Sequence, residues 1–227
     1  MDAGIGAAGH GLASGLPQNP PMLSGGFGIV PTGDSGFLVS LEDPRDVHPA
    51  ASRLVAGRLA GVRDVVPAAR TVLVVLEAGA VLDESLLRAA LAREAPEETR
   101  PSKLVEIAVR YDGADLQDVA ARAGLTSEDV VRRHAAAEYE VAFVGFRPGF
   151  PYLRGLPREL RTPRRSTPRP RVPAGSVAIG AEWSGVYPAA TPGGWNLIGT
   201  TDAVIFDAAR RPPGLFAAGD RVRFVRV

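Results

Sequence analysis

From residue 141 to residue 227 the chain never sustains a helical period. Its apolar runs there, at 141–144, 176–179, 204–206 and 222–227, are short and are cut by Gly and Pro. Proline cannot continue a helix and glycine supplies tight turns, so such a texture folds into a β-barrel or sandwich. Gly219-Asp220 marks a tight turn into the closing strand. Residues 141–227 are therefore expected to form a β-barrel domain.

Upstream the periodicity alternates. Residues 36–41 read as a strand, and 50–60 as a helix with Leu54, Val55 and Leu59 on one face. Two β-branched runs, 62–66 and 71–76, are separated by Pro67. Asp83 can cap a helix running to Glu94, and 104–110 alternates as a strand. The order β-α-β-β-α-β predicts a split βαβ, ferredoxin-like domain over 27–110. A helical connector is expected over 111–140, its first helix capped by Asp115 and ended by Gly124, its second capped by Thr126 with Asp129. Residues 1–26, mostly Gly, Ala, Ser and Pro, read as a disordered tail. The fold class expected is α+β.

Several chemistries are excluded at once. There is no cysteine, hence no disulfide scaffold, cysteine nucleophile or thiolate zinc site. The histidines, His10, His48 and His134, are too scattered for a metal centre, and no metal is expected. No apolar run approaches the ~18 residues of a membrane helix, and no secretory leader is evident, so the expected address is the cytoplasm. The net charge of +1 hides an asymmetry: residues 1–140 carry 13 basic and 20 acidic groups, and 141–227 carry 13 and 5. Anion binding is expected in the C-terminal part.

Weak motif matches have structural explanations. Gly4, Gly6 and Gly9 spell the dinucleotide fingerprint with no strand before it. Gly33-Asp34-Ser35-Gly36 resembles a serine-protease loop and reads better as a turn. Residues 118–126 resemble a helix-turn-helix, but the second helix opens on Glu128 and Asp129, which phosphates would repel, so no nucleic-acid partner is expected. No phosphate loop precedes Lys103.

The richest segment is 145–196. It contains Gly145-Phe146-Arg147-Pro148-Gly149-Phe150-Pro151-Tyr152, an Arg/Pro stretch over 162–176, and Thr191-Pro192-Gly193-Gly194-Trp195-Asn196. Between 147 and 171 stand eight arginines against one acid, Glu159, and seven prolines stiffen 148–173. Guanidinium forks held on stiff loops suit a carboxylate or phosphate. Arg164, Arg171 and the turn 192–195 are expected to converge on one concave site, the two glycines admitting a ligand and Trp195 forming an apolar wall. Gly149, Phe150, Tyr152 and Asn196 complete the candidate binding set. His134, just before the first barrel strand, is a candidate general acid or base.

The runs 119–139, 145–153, 162–176 and 191–199, with Gly33-Asp34-Ser35 and Gly219-Asp220-Arg221-Val222 at the two ends, resemble the KipI-type family. That family is also known as the 5-oxoprolinase B subunits, as allophanate hydrolase subunit 1, or as carboxyltransferase subdomains C and D of urea carboxylase. The resemblance implies a ferredoxin-like domain followed by a cyclophilin-like barrel. It further implies a KipA-type carboxyltransferase-like partner and a LamB/YcsF-type partner, with 5-oxoproline, a small cyclic amide, opened to glutamate at the expense of ATP. An allophanate hydrolase or urea carboxylase role, or inhibition of a histidine kinase, are the alternatives it carries. The chain departs from the family pattern in two places. Ala135-Ala136-Ala137 replaces Ser-Ala-Pro, losing a hydroxyl, and Thr191 and Asn196 replace Ser and Gln around the Pro-Gly-Gly-Trp turn.

Overall fold

A computed structural model describes residue 23 and residues 25–94 and 102–227. The first sheet contains β1 (Phe27–Pro31), β2 (Gly36–Leu41), β3 (Val62–Pro67) and β4 (Thr71–Leu76), in the order β1-β2-β4-β3 and antiparallel throughout. Helices α1 (Val47–Ala56) and α2 (Glu84–Leu91) cover one face. Alternation along β4 sends Val72, Val74 and Leu76 toward Leu54, Leu87 and Leu91, which gives this unit its own core.

The remaining strands build a second sheet. They are β5 (Leu104–Val109), β6 (Tyr139–Val144), β7 (Pro151–Arg154), β9 (Ser176–Gly180), β10 (Trp183–Val186), β12 (Asn196–Thr200) and β13 (Arg221–Arg226). Their order is β12-β9-β10-β7-β6-β13-β5, with a separate ribbon of β8 (Arg169–Val172) and β11 (Thr191–Gly193). Arg110 and Thr200 exchange both backbone hydrogen bonds, at 2.9 and 2.8 Å, so the outer strands meet and the barrel nearly closes. Helices α3 (Leu116–Ala123) and α4 (Ser127–Ala136) pack Val119, Ala120, Val130 and Val131 into the barrel's core.

Two boundaries differ from the sequence reading. The strand 104–109, expected to complete a ferredoxin-like unit, leaves the first sheet and pairs in parallel with β13. Its place is taken by β1, antiparallel to β2. The β-α-β-β-α-β order thus holds along the chain, while hydrogen bonding divides it differently. The pair 111–140 is likewise part of the barrel's core, because its apolar faces are buried there. Most of the expected tail, with the Gly4, Gly6 and Gly9 match, lies outside the described residues. Gly25 and Gly26 belong to the first unit, donating to Asp46 and Glu42.

Local expectations fare better. Thr126 and Asp129 form a reciprocal capping box, and Gly124 ends α3 in the left-handed region. The 33–36 segment is a hairpin turn closed by Thr32 N–H donating to the Gly36 carbonyl at 2.8 Å. No helix among the described residues is long and apolar enough to cross a membrane.

Candidate binding cleft

The ribbon β8–β11, strand β7 and the 145–150 turn enclose a cleft of about 290 Å³. Its walls are aromatic. Phe150 precedes β7, Tyr152 lies on it, Tyr187 follows β10, and Trp195 stands between β11 and β12. Phe150 meets Trp195, Tyr187 and Tyr152 edge-on at ring distances of 5.3, 5.1 and 5.2 Å. Such edge-to-face packing fixes each ring beyond what burial alone does. Two glycines make the approach possible. Gly149 turns the chain at φ +81° with Phe206 behind it, and a Cβ on Gly193 would lie 2.4 Å from the Tyr187 hydroxyl.

Charge stands at the mouth. The Arg164 guanidinium lies 5.7 Å from the Trp195 ring centroid, a cation–π contact that orients it across the opening. Arg165 also lines the cleft, its backbone N–H donating to the Gly194 carbonyl at 2.7 Å. Beneath them lies Asp115, 2% exposed. Its carboxylate accepts both terminal nitrogens of Arg169 at 2.9 and 2.8 Å, Arg165 Nη1 at 2.9 Å and the Leu197 N–H at 2.7 Å. Burial raises this carboxyl's pKa, but the Arg169 and Leu197 hydrogen bonds and the two guanidinium charges outweigh it, so it titrates below the usual aspartate value. The Arg/Pro stretch is therefore anchored to α3 through one buried acid. Asp115 was expected to cap that helix; its side chain makes no cap hydrogen bond.

The phenols of the cleft remain protonated at neutral pH. Burial pushes Tyr152 up, with Arg164 pulling the other way. Burial likewise raises Tyr187. Among the described residues, no histidine, carboxylate, serine or threonine lines this cleft. Its chemistry is that of binding: flat apolar walls, phenolic donors and fixed positive charge.

Of the sequence-predicted residues, the structure brings together Phe150, Tyr152, Arg164, Pro192, Gly193, Gly194 and Trp195. Gly149 shapes the turn from behind. Arg171 does not join them. Val172 beside it is committed to the core, and Arg171 stays exposed on the ribbon. Asn196 is buried and holds the loop, donating Nδ2 to the Pro163 carbonyl at 2.9 Å.

His134, the candidate general acid or base, stands away from the cleft lining. It is fully buried in α4, stacked on Phe224 at 4.6 Å, with Nδ1 2.8 Å from the Tyr111 hydroxyl and Nε2 3.0 Å from Ser184 Oγ. Desolvation lowers its pKa to about 3, so it is neutral at physiological pH. The pairing with Ser184 resembles a nucleophile and base, yet both are 0% exposed and substrate cannot reach them. Among the described residues no group of His, Asp or Glu side chains could hold a metal ion.

Sequence reasoning missed Arg165, Tyr187 and Asp115. Arg165 and Tyr187 lie within the segment 145–196 without a local signal that marks them, and none ties Asp115 to arginines some fifty positions away.

The carboxyltransferase domain, subdomain C and D, matches residues 27–216. A protein of Escherichia coli O157:H7, named as the B subunit of 5-oxoprolinase, is 44% identical, over 85% of this chain and 93% of its own. The crystal structure of TTHA0988 superposes with a TM-score of 0.74 at 37% identity, over 85% of this chain; this chain spans only 40% of that one. Urea carboxylase of Kluyveromyces lactis superposes with a TM-score of 0.70 over 93% of this chain and 22% of its own. At 21% identity that likeness establishes the mixed α/β fold with its nearly closed barrel, and no more.

Proposed function

The chain belongs to the carboxyltransferase domain, subdomain C and D, family, and from that premise we propose that it serves as the B subunit of an ATP-dependent 5-oxoprolinase. The observation that carries this reading is Arg164 poised over Trp195 at the mouth of an aromatic cleft. 5-Oxoproline is a flat five-membered lactam bearing one carboxylate. Its ring suits the space between Tyr152, Phe150 and Trp195, and its carboxylate suits the Arg164 fork. In this reading the barrel is a cyclophilin-like binding module acting in the cytoplasm.

Opening the ring requires an activated carbonyl and a nucleophile, and the cleft lining supplies neither a base nor a nucleophile of lowered pKa. The chemistry is accordingly assigned to partners, a KipA-type carboxyltransferase-like subunit and a LamB/YcsF-type subunit. ATP acts in the assembled complex, and a cleft of about 290 Å³ suits one small ring better than a nucleoside triphosphate. This chain's part is to bind and orient the lactam.

The test is titration of 5-oxoproline against the tryptophan emission of the full chain, alone and with its partners, beside Arg164→Ala. Saturable quenching that Arg164→Ala weakens is the expected result. Emission unmoved by 5-oxoproline in every preparation would rule the cleft out as the lactam site.

A further inference from the structure

A second cavity, of about 240 Å³, lies at the joint between the two units. The first unit contributes Val47 and Arg70; the barrel contributes Ala142, Arg154, Glu182 and Trp183. The joint is tied beside it by His48 Nε2, 2.5 Å from the Ala142 carbonyl. Its charge differs in kind from that of the cleft. Among the described residues the cleft lining holds arginines and no acid, whereas here two arginines and a carboxylate share the lining, Arg70 also donating Nη2 to the Glu42 carbonyl. Glu182 is exposed and forms no ion pair among the described residues. Arg154 reaches Glu140 at 3.4 Å, and its buried Nε has no hydrogen-bond partner among the described residues.

We propose that this cavity is a second ligand site, and that it takes a free α-amino acid: carboxylate on Arg154 and Arg70, ammonium on Glu182, side chain against Trp183 and Val47. The identification of the ligand with the product of ring opening rests on the function proposed above; the ligand class rests on the lining alone. A lactam acid has a neutral nitrogen and gains no charge pairing from Glu182. Its ring-opened product carries an ammonium and does. One residue type thus separates the two sites, positive charge only for the cyclic acid and paired charge for the zwitterion.

The two sites share a wall. Trp183 of the joint meets Tyr152 of the cleft edge-on at 5.9 Å, and Phe143 stacks on Tyr152 at 4.2 Å while meeting Trp183 at 5.6 Å. Tyr152 and Arg154 are also alternate residues of the one strand, β7. A ligand packed on Trp183 therefore bears on the rings that line the cleft.

Calorimetric titration of the full chain with L-glutamate tests the proposal, with N-acetyl-L-glutamate, which lacks the ammonium, as the paired probe. L-Glutamate should bind, and both the acetylated probe and the Glu182→Gln variant should lose about tenfold or more in affinity, the decade that 1.4 kcal/mol represents. Arg164→Ala should leave glutamate binding unchanged. Absence of L-glutamate binding at millimolar concentration overturns the proposal, as does equal binding of the acetylated probe. Loss of glutamate binding in Arg164→Ala overturns it too, by placing the ligand in the cleft. If glutamate binds as described while 5-oxoproline fails to bind, the lactam reading falls and the amino-acid site stands.

Discussion

Replacing Asp115 by Asn should destabilise the barrel and loosen the arginine stretch together. The substitution keeps the shape and removes the charge that Arg165 and Arg169 share. Breaking a fully buried ion pair costs about 3–5 kcal/mol. Here the guanidinium side chains are 34% and 23% exposed, so water takes up part of the loss. An expected cost of about 2–3 kcal/mol corresponds to a Tm drop of roughly 4–12 °C for a chain of this size. The pH dependence gives a second check. A carboxyl held below its unfolded value contributes stability above about pH 4, and that contribution fades as pH falls through the folded value. The melting gap between wild type and Asp115→Asn should therefore be full at neutral pH and should narrow on acidification below about pH 4. Thermal melts by circular dichroism across that range measure it. Coincident melts at pH 7, or a gap that widens in acid, would refute the reasoning.

Three further outcomes are expected. Arg164→Ala should weaken 5-oxoproline binding by roughly ten- to a hundredfold, the worth of one charge-assisted contact, with Arg164→Lys recovering part of it and Tm unchanged in both. Gly193→Ala should cost about 1–3 kcal/mol in thermal stability and block the cleft, because the added methyl meets the buried Tyr187 hydroxyl. His134 should show no protonation by NMR between pH 5 and 8; since its folded pKa of about 3 lies below the unfolded value, its contribution is complete above about pH 6.5 and declines as pH falls below that.

Much of the barrel was legible because alternation and turn chemistry act locally. The runs 141–144, 176–179 and 222–227 announce themselves as strands by short apolar stretches cut by Gly or Pro, whereas 204–206, also expected as a strand, carries only an isolated bridge from Phe206 to Gly214. Strands β7, β8, β10, β11 and β12 were hidden, being three to five residues long and carrying Pro, Arg or Gly. Which sheet a strand joins is a long-range choice. Nothing within 104–109 states that its partner is 221–226, more than a hundred residues on. The site followed the same division. Pro192-Gly193-Gly194-Trp195 and Arg164 were readable, since a glycine pair beside tryptophan and an arginine on a proline-stiffened loop are local signals. Arg171 was misassigned because strand alternation in a ribbon of four residues is invisible without its register. His134 misled because burial, which sets its pKa, is a property of the folded core.

Reconstitution with the partner subunits addresses the central claim most directly. ATP-dependent conversion of 5-oxoproline to glutamate should be absent from this chain alone and present in the assembled complex. Carrying Arg164→Ala, the complex should assemble as before and lose most of that activity at subsaturating 5-oxoproline. Turnover by the isolated chain, or an assembled Arg164→Ala complex as active as wild type, would contradict the account.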